Sequence, residues 1–170
     1  MKKMSLLLRR ATETDLPEIR EIINHYVRNT PTTFEMREVS IEDRLAWFRN
    51  FTENGRHQLV LGEREGKVAG YACSLRYHER PAYDTSVMTS VYLHPKEVGK
   101  GYGKQLYRRL LDDLESSGQV HRAYGLVVLP NSGSESLHEA LGFQEVGLLH
   151  EAGYKLGAYH SVRIYEKRFA

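Results

Sequence analysis

The chain has 170 residues, of which 41% are hydrophobic and 27% are charged, and its formal net charge is +2. This length and composition predict one soluble globular domain, spanning residues 1–170, with a sizeable core. The mild charge argues against nucleic acid or an anionic membrane as a partner, because proteins that bind them usually concentrate basic residues.

The cysteines, the histidines and the N-terminal sequence bear on disulfides, metal sites and cellular location. Cys73 is the only cysteine, which excludes an internal disulfide and a multi-cysteine zinc site, and the eight histidines show no metal-binding spacing. Near the N-terminus the apolar run is only Leu6-Leu7-Leu8, whereas a membrane span needs about 20 apolar residues. We therefore expect a cytoplasmic protein without a metal.

Apolar spacing and turn residues predict seven strands and four helices. The strands cover residues 6–10, 59–61, 67–77, 85–93, 122–129, 144–150 and 160–169. The helices begin near Asp15, near Ser40, after Gly103 and at Ser134, with Asp15 and Ser40 as capping side chains and Gly142 closing the last helix. The order β-α-α-β-β-β-α-β-α-β-β predicts a mixed α/β domain whose largely antiparallel sheet is flanked by helices.

The strongest local signal is a loop in which Gly99, Gly101 and Gly103 precede Lys104 and a helix. Glycines let the backbone approach a ligand, so that successive N–H groups can point at one anion, and the helix adds its positive dipole end. Lys100 and Lys104 would add charge at the edge. The loop therefore predicts a pyrophosphate site, the alternative being a turn that merely connects strand to helix.

Two other phosphate-binding motifs fit this loop poorly. A dinucleotide fold has G-x-G-x-x-G after its first strand, and a P-loop has G-x-x-x-x-G-K-[ST]. Here the loop lies in mid-chain with a different spacing, and Gln105 stands where a P-loop has Ser or Thr.

Two motifs in the same order resemble motifs A and B of the GNAT superfamily of N-acetyltransferases. Motif A is matched by residues 91–95 (VYLHP) and 99–103 (GKGYG), and motif B by residues 129–131 (LPN) and 137–143 (LHEALGF). Further segments are similar to the phosphinothricin acetyltransferase-like branch: Arg9-x-Ala11-Thr12-x-x-Asp15-Leu16 and Gly153-Tyr154-Lys155-Leu156-Gly157. The resemblance spans nearly the whole chain and implies acetyl-CoA as the acetyl donor.

In this family the strand that matches Val91 splays from its neighbour and its backbone pairs with the pantetheine arm of CoA. A backbone N–H there polarises the thioester carbonyl. The glycine loop matches the pyrophosphate site, although Val98 stands where the family usually has Arg or Gln. The residues implied in acetyl-CoA binding are Val91, Tyr92, Leu93, Gly99, Lys100, Gly101, Tyr102, Gly103, Lys104, Asn131 and Ser134.

His138 matches a position near the CoA sulfur, where this branch often uses histidine. Histidine titrates near neutral pH, so the resemblance implies that His138 protonates the leaving thiolate. The alternative is a helix histidine packed beside Leu141. Ser134 likewise suits a helix N-cap, and Asn131 after a proline suits a turn.

The general base is the point at which this sequence departs from the branch. Phosphinothricin-type enzymes commonly place a Glu three residues before the position of Val91, where this chain has Met88. Methionine cannot accept a proton, so the usual mechanism and the usual substrate are both open. Candidate substitutes are Glu35, His78 and Asp84, directly or through a water.

The resemblance places the acceptor amine between the segments around residues 33–35 and 77–83. The substrate-binding residues it implies are Phe34, Glu35, Tyr77, Arg80 and Tyr83. Arg80 would hold a carboxylate or phosphinate by a two-pronged contact, or else be a solvated loop arginine. Tyr159 and Ser161 stand where the branch often has Trp and Asp.

The leading hypothesis is an N-acetyltransferase that moves the acetyl group of acetyl-CoA directly to the primary amine of a small molecule, an amino acid or analogue of the phosphinothricin or methionine sulfoximine type. The alternatives are a non-catalytic acetyl-CoA sensor and a peptide or protein N-acetyltransferase. The resemblance also implies a homodimer. Cys73 is expected to be inert in a buried strand.

Overall fold

The computed structural model describes residues 6–170, which form seven strands and four helices. The strands are β1 (Leu7–Arg10), β2 (Leu59–Arg64), β3 (Lys67–Arg76), β4 (Ser86–Leu93), β5 (Arg122–Val128), β6 (Gln144–Lys155) and β7 (Ala158–Arg168). The helices are α1 (Leu16–Asn29), α2 (Ile41–Phe48), α3 (Tyr102–Ser117) and α4 (Ser132–Ala140). The predicted order of elements is confirmed.

All seven strands belong to one sheet, in the order β1-β2-β3-β4-β5-β7-β6. Every neighbouring pair is antiparallel except β4 and β5, which are parallel. The mixed, mostly antiparallel sheet predicted from the sequence is therefore confirmed, and its one parallel contact lies at its centre.

The helices cover the two faces of the sheet. On one face, α3 buries Leu106, Tyr107, Leu110 and Leu114 completely, and α4 packs beside it through Leu137. On the other face, the apolar side of α1 and the aromatic residues of α2 pack on β2 and β3. The sheet thus separates two cores. Because side chains alternate along a strand, successive residues of β4 face one core and then the other.

One capping prediction, for the side chain of Asp15, is wrong, and so is the capping alternative left open for Ser134. Asp15 does not cap α1, because its carboxylate instead accepts from both terminal nitrogens of Arg9, at 2.8 Å each, and from the Thr12 amide at 2.7 Å. Ser134 is not the N-cap of α4, because the helix begins at Ser132 and the side chain of Asn131 accepts from the Ser134 amide at 3.2 Å. Ser40 does cap α2, as predicted.

β6 is longer than the predicted strand over 144–150. After an irregularity between Leu149 and Gly153 it resumes its pairing with β7 and continues to Lys155. The alternation of apolar and polar residues breaks at this irregularity, so the sequence did not predict the second half of the strand. That half reaches a tight turn at Leu156 and Gly157, both with positive φ.

Three further features concern the cysteine, metal ligands and membrane-spanning helices. Cys73 is buried in β3, as predicted, and its burial raises the pKa of the thiol to about 12, so it stays protonated. Within residues 6–170, no three His, Cys, Asp or Glu side chains come together as potential metal ligands. Over the same residues, each helix is too short or too polar to cross a bilayer.

Candidate active site

The candidate site lies where β4 and β5 separate. The two strands pair over only three residues each, Ser86–Met88 of β4 with Arg122–Tyr124 of β5. Beyond these residues β4 keeps its pairing with β3 as far as Leu93, and β5 keeps its pairing with β7 as far as Val128. The facing edges of the two strands are therefore left open, which provides backbone N–H and C=O groups for an extended ligand.

This opening leads into a cleft of about 520 Å³, a size typical of small-molecule sites. Nine of the eleven predicted acetyl-CoA-binding residues line it: Val91, Tyr92, Leu93, Gly99, Gly101, Gly103, Lys104, Asn131 and Ser134. His138 lines it as well. The structure thus brings together residues from β4, the glycine loop, α3 and α4.

The glycine loop has the backbone conformation that its sequence predicts. Gly99 and Gly101 have φ of 81° and 80°, in the left-handed region that favours glycine. Gly101 is the N-cap residue of α3 and has no side chain, so no side-chain cap occupies the first N–H groups of the helix. These groups and the positive end of the helix dipole can therefore bind a pyrophosphate at the mouth of the cleft.

The charged and aromatic residues of the loop have different surroundings. Lys104 lines the cleft, whereas the ammonium of Lys100 lies 2.9 Å from the carboxylate of Glu97. The side chain of Tyr102 is buried in the core under α3, so only its backbone is free to bind a ligand. Val98 is exposed at the cleft and offers no charge.

His138 is held by both ring nitrogens. Its Nδ1 lies 2.7 Å from the carbonyl oxygen of Ser134, which only accepts, so Nδ1 carries a proton. Its Nε2 lies 3.2 Å from the hydroxyl of Tyr107, which is 2.6 Å from the hydroxyl of Thr89. A continuous chain of polar groups therefore runs from α4 through α3 to β4.

The imidazole of His138 is almost fully enclosed, with 5% of the residue exposed, and its ring stacks on Tyr165 at 5.2 Å between centroids. Its Nε2 lies so close to Gly125 on β5 that a Cβ there would approach it to 2.3 Å. Burial lowers the pKa of His138 below its usual value, and the hydrogen bond to Ser134 opposes this only in part. The neutral imidazole, with its proton on Nδ1, is therefore favoured near pH 7.

The opposite face of β4 forms the other side of the cleft. Met88, Ser90 and Tyr92 alternate with residues that pack under α3, so their side chains lie on the face covered by α1 and α2. Tyr26 of α1 lines this side and donates to the carbonyl of Leu93 at 2.7 Å. The hydroxyl of Tyr92 faces the side chain of Thr33, and burial raises the pKa of Tyr92 to about 12.

Met88 lies in an apolar and aromatic environment. It pairs with Leu75 on β3 and with Tyr124 on β5, and directly paired residues share a face. Tyr124 stacks on Tyr77 at 4.6 Å, and Tyr77 also packs against Tyr83. Two predicted acceptor residues therefore belong to one aromatic cluster on the face of the sheet that carries Met88.

The remaining predicted acceptor residues lie on exposed loops. Arg80 is solvent-exposed and has no ion-pair partner among residues 6–170. The ring of Phe34 rests against Gly153 of β6, and Glu35 follows it on the surface. Within the described chain, none of these three residues is in the lining of the cleft, and no contact joins Arg80 to Phe34.

The three candidate bases stand apart from the cleft lining. Among the residues that the structure describes, the lining includes neither Glu35 nor His78 nor Asp84. His78 packs on Tyr83 at 4.9 Å, and the carboxylate of Asp84 lies 4.0 Å from the guanidinium of Arg76. On the side of the cleft formed by α1 and the loop after it, the polar side chains in the lining are instead hydroxyls, those of Tyr26, Thr32 and Ser90.

Sequence reasoning missed four residues that shape the site: Tyr26, Thr89, Tyr107 and Tyr124. Tyr26 and Tyr107 occupy ordinary apolar positions of amphipathic helices, and Thr89 suits any buried strand. The hydroxyl on each was the only signal, since a buried hydroxyl needs a partner. Nothing in the neighbouring sequence indicated that these hydroxyls would lie near the cleft.

Comparison with known proteins agrees with this geometry. Residues 17–143 match the acetyltransferase (GNAT) family. The chain belongs to this family, which confirms the resemblance seen in its motifs, and it is an acetyltransferase that uses acetyl-CoA as its acetyl donor.

Several relatives match over nearly their full length. A phosphinothricin N-acetyltransferase of Streptomyces coelicolor is 40% identical over 162 residues, 94% of each chain. An L-methionine sulfoximine/L-methionine sulfone acetyltransferase of Salmonella typhimurium is 32% identical over 91% of this chain and 89% of its own. The crystal structure of a phosphinothricin acetyltransferase from Sinorhizobium meliloti in complex with acetyl-CoA superposes with a TM-score of 0.93, at 32% identity, covering 98% of this chain and 90% of that one.

The glycine loop allows a matched test of the anion site. Gly101→Ala and Gly66→Ala both place a side chain at a φ near +80°, and in the described structure the new Cβ meets no atom within 4 Å at either position. Each should cost about 1 kcal/mol of unfolding free energy. Only Gly101→Ala should weaken acetyl-CoA binding, by about tenfold, because it displaces the N–H groups of the loop. Calorimetric titration measures this, and equal affinity in the two variants would contradict the assignment.

The buried His138 predicts a pH dependence of stability. Because its pKa is lower in the folded state, the unfolded chain takes up a proton first as the pH falls through about 6.5. Stability should therefore decrease from pH 7.5 to pH 5, and His138→Gln should make that decrease smaller. Urea unfolding at several pH values measures it, with exposed His150→Gln as the control that should leave the slope unchanged. An identical slope in wild type and His138→Gln would rule out the linkage.

Proposed function

We propose that the protein acetylates the primary amine of a small molecule, an amino acid or an analogue of the phosphinothricin or methionine sulfoximine type. The supporting observation is the cleft between β4 and β5, with its glycine loop at one end and Ser90 in its lining, on the face of β4 that also carries Met88. The names of the relatives agree with this class of acceptor.

The reaction is a direct transfer between two bound substrates. The amine nitrogen attacks the thioester carbonyl, a C–N bond forms, and the C–S bond then breaks to release CoA. The open backbone of Val91 to Leu93 carries the N–H that stabilises the tetrahedral oxyanion. Since Cys73 is buried and protonated, it does not act as a nucleophile. The chain acts mainly by positioning the two substrates.

Two protons move in this reaction. The amine must lose one before or during attack, and with Met88 in place of a carboxylate that proton goes to solvent. The departing thiolate gains one, and His138 supplies it from its imidazolium form, in which Nε2 as well as Nδ1 carries a proton. Tyr107 and Thr89 connect the Nε2 of His138 to other exchangeable protons, so Nε2 can take up the proton that it passes on.

The remaining assignments are also proposals. Asn131, Ser134 and Lys104 hold acetyl-CoA, while Phe34, Glu35, Tyr77, Arg80 and Tyr83 surround the acceptor, with Arg80 on its anionic group. We further propose a homodimer in the cytoplasm. Strand β6 lies at the edge of the sheet and exposes apolar side chains such as Val146 and Leu149, which a second copy would cover.

The test is release of thiol from acetyl-CoA by the purified protein with a panel of amines. The panel contains phosphinothricin, methionine sulfoximine, methionine sulfone, free amino acids, polyamines and short peptides, each between pH 6 and pH 9. Turnover confined to amino acid analogues supports the proposal. Turnover with peptides alone points to a protein acetyltransferase, and tight acetyl-CoA binding with no thiol release points to a sensor.

Met88 gives a second prediction. Without a carboxylate base the rate should rise with pH as the free amine becomes neutral. Met88→Glu should raise the rate at pH 7 by at least about tenfold and flatten this profile, because partial burial beside Leu75 and Tyr124 raises the pKa of a carboxyl towards neutral pH. Met88→Gln has a similar shape without the proton acceptor and is the control. Equal rates for Met88→Glu and Met88→Gln would show that deprotonation of the amine does not limit the rate.

A further inference from the structure

The loop over residues 30–39, between α1 and α2, forms part of the acceptor side of the cleft through Thr32. Its two ends are tied to α1. Thr30 donates from both its amide and its hydroxyl to the carbonyl of Tyr26, at 3.1 and 2.9 Å. The buried amide of Asn24 exchanges two hydrogen bonds with the backbone of Val39, at 2.9 and 3.0 Å.

The middle of this loop is held from a distant part of the chain. The ammonium of Lys155, near the end of β6, donates to the carbonyl of Thr33 at 2.7 Å. Lys155 is only 4% exposed, and Glu35 is the acidic side chain that acts on its charge. Burying a lysine is costly unless its ammonium is paired, so the hydrogen bond to Thr33 offsets part of that cost and favours this position of the loop.

A second contact lies two residues earlier on the same face of β6. The ring of Phe34 packs directly on the backbone of Gly153, where a Cβ would come within 2.3 Å of the ring. Lys155 and Gly153 therefore act on consecutive residues of the loop, one by a charged hydrogen bond and the other by leaving room for a ring.

The contact continues into the cleft. The side chain of Thr33 lies beside the hydroxyl of Tyr92, and Tyr92 belongs to the strand whose backbone borders the cleft. Movement of Thr33 would thus change both the loop and the acceptor side of β4.

We propose that Lys155 and Gly153 are positioning residues for the acceptor amine, because they fix the loop over residues 30–39 against the cleft. The proposal rests on the proposed function for its kinetic consequence, though not for its structural one. Neither residue touches the reacting atoms. They set where Phe34 and Glu35 lie and hold Thr33 against Tyr92.

The test compares Lys155→Met and Gly153→Ala with a matched control, Lys167→Met. Lys167 also donates from its ammonium to a backbone carbonyl, that of Leu141 at 2.9 Å, but away from the loop. In Lys155→Met and Gly153→Ala the KM for the acceptor should rise by about tenfold or more, while the KM for acetyl-CoA changes by less than about twofold. Lys167→Met should leave the acceptor KM unchanged.

Hydrogen exchange of residues 30–39 gives a readout that does not depend on turnover. Exchange of this loop should accelerate in Lys155→Met and Gly153→Ala and stay at the wild-type rate in Lys167→Met. If wild type acetylates no amine, the proposed function fails while the exchange data still test the loop. Gly153→Ala retains the ammonium and provides the test if Lys155→Met does not fold. Unchanged exchange, or an equal loss of affinity for both substrates, would overturn the proposal.

Discussion

The separation of β4 from β5 after Met88 is the constraint on which the site depends. Two parallel strands at the centre of a sheet normally continue to pair, since an unpaired backbone group in a protein interior is costly. Here each strand keeps its outer neighbour and loses its inner one. The open edges then form the walls of a cleft, and the start of α3 and its glycine loop lie at the mouth of that cleft.

The alternation of side chains along β4 divides the chemistry between the two faces of the sheet. Thr89 points to the face with α3, where it meets Tyr107 and the buried His138. Met88 and Ser90 point to the face with α1 and α2. The imidazole and its hydroxyl partners are therefore on one side, and on the other side β4 provides a thioether and a hydroxyl. In the proposed reaction, this asymmetry leaves deprotonation of the amine without a carboxylate on β4.

The acceptor side is assembled from segments that are far apart in sequence. Lys155 and Thr33 are separated by 122 positions, and Tyr26 and Leu93 by 67. Each of these pairs joins a polar side chain to a backbone carbonyl, so the contact depends on the fold and not on the chemical type of the carbonyl residue. Such a surface can change its acceptor by substitution at a few side chains while the backbone of the donor cleft stays the same.

Local patterns in the sequence determined the order of the strands and helices, the capping of α2 by Ser40, the left-handed turns at Gly99 and Gly101, and the family. Each of these depends on neighbours within a few residues, whose geometry is fixed by backbone sterics. The tertiary structure alone decided that Asp15 binds Arg9 and does not cap α1, that β6 resumes at Gly153, and that His138 meets Tyr107. It also decided that Lys155 holds Thr33. These contacts depend on which distant polar groups are buried together, and a buried group must find a partner wherever the fold provides one.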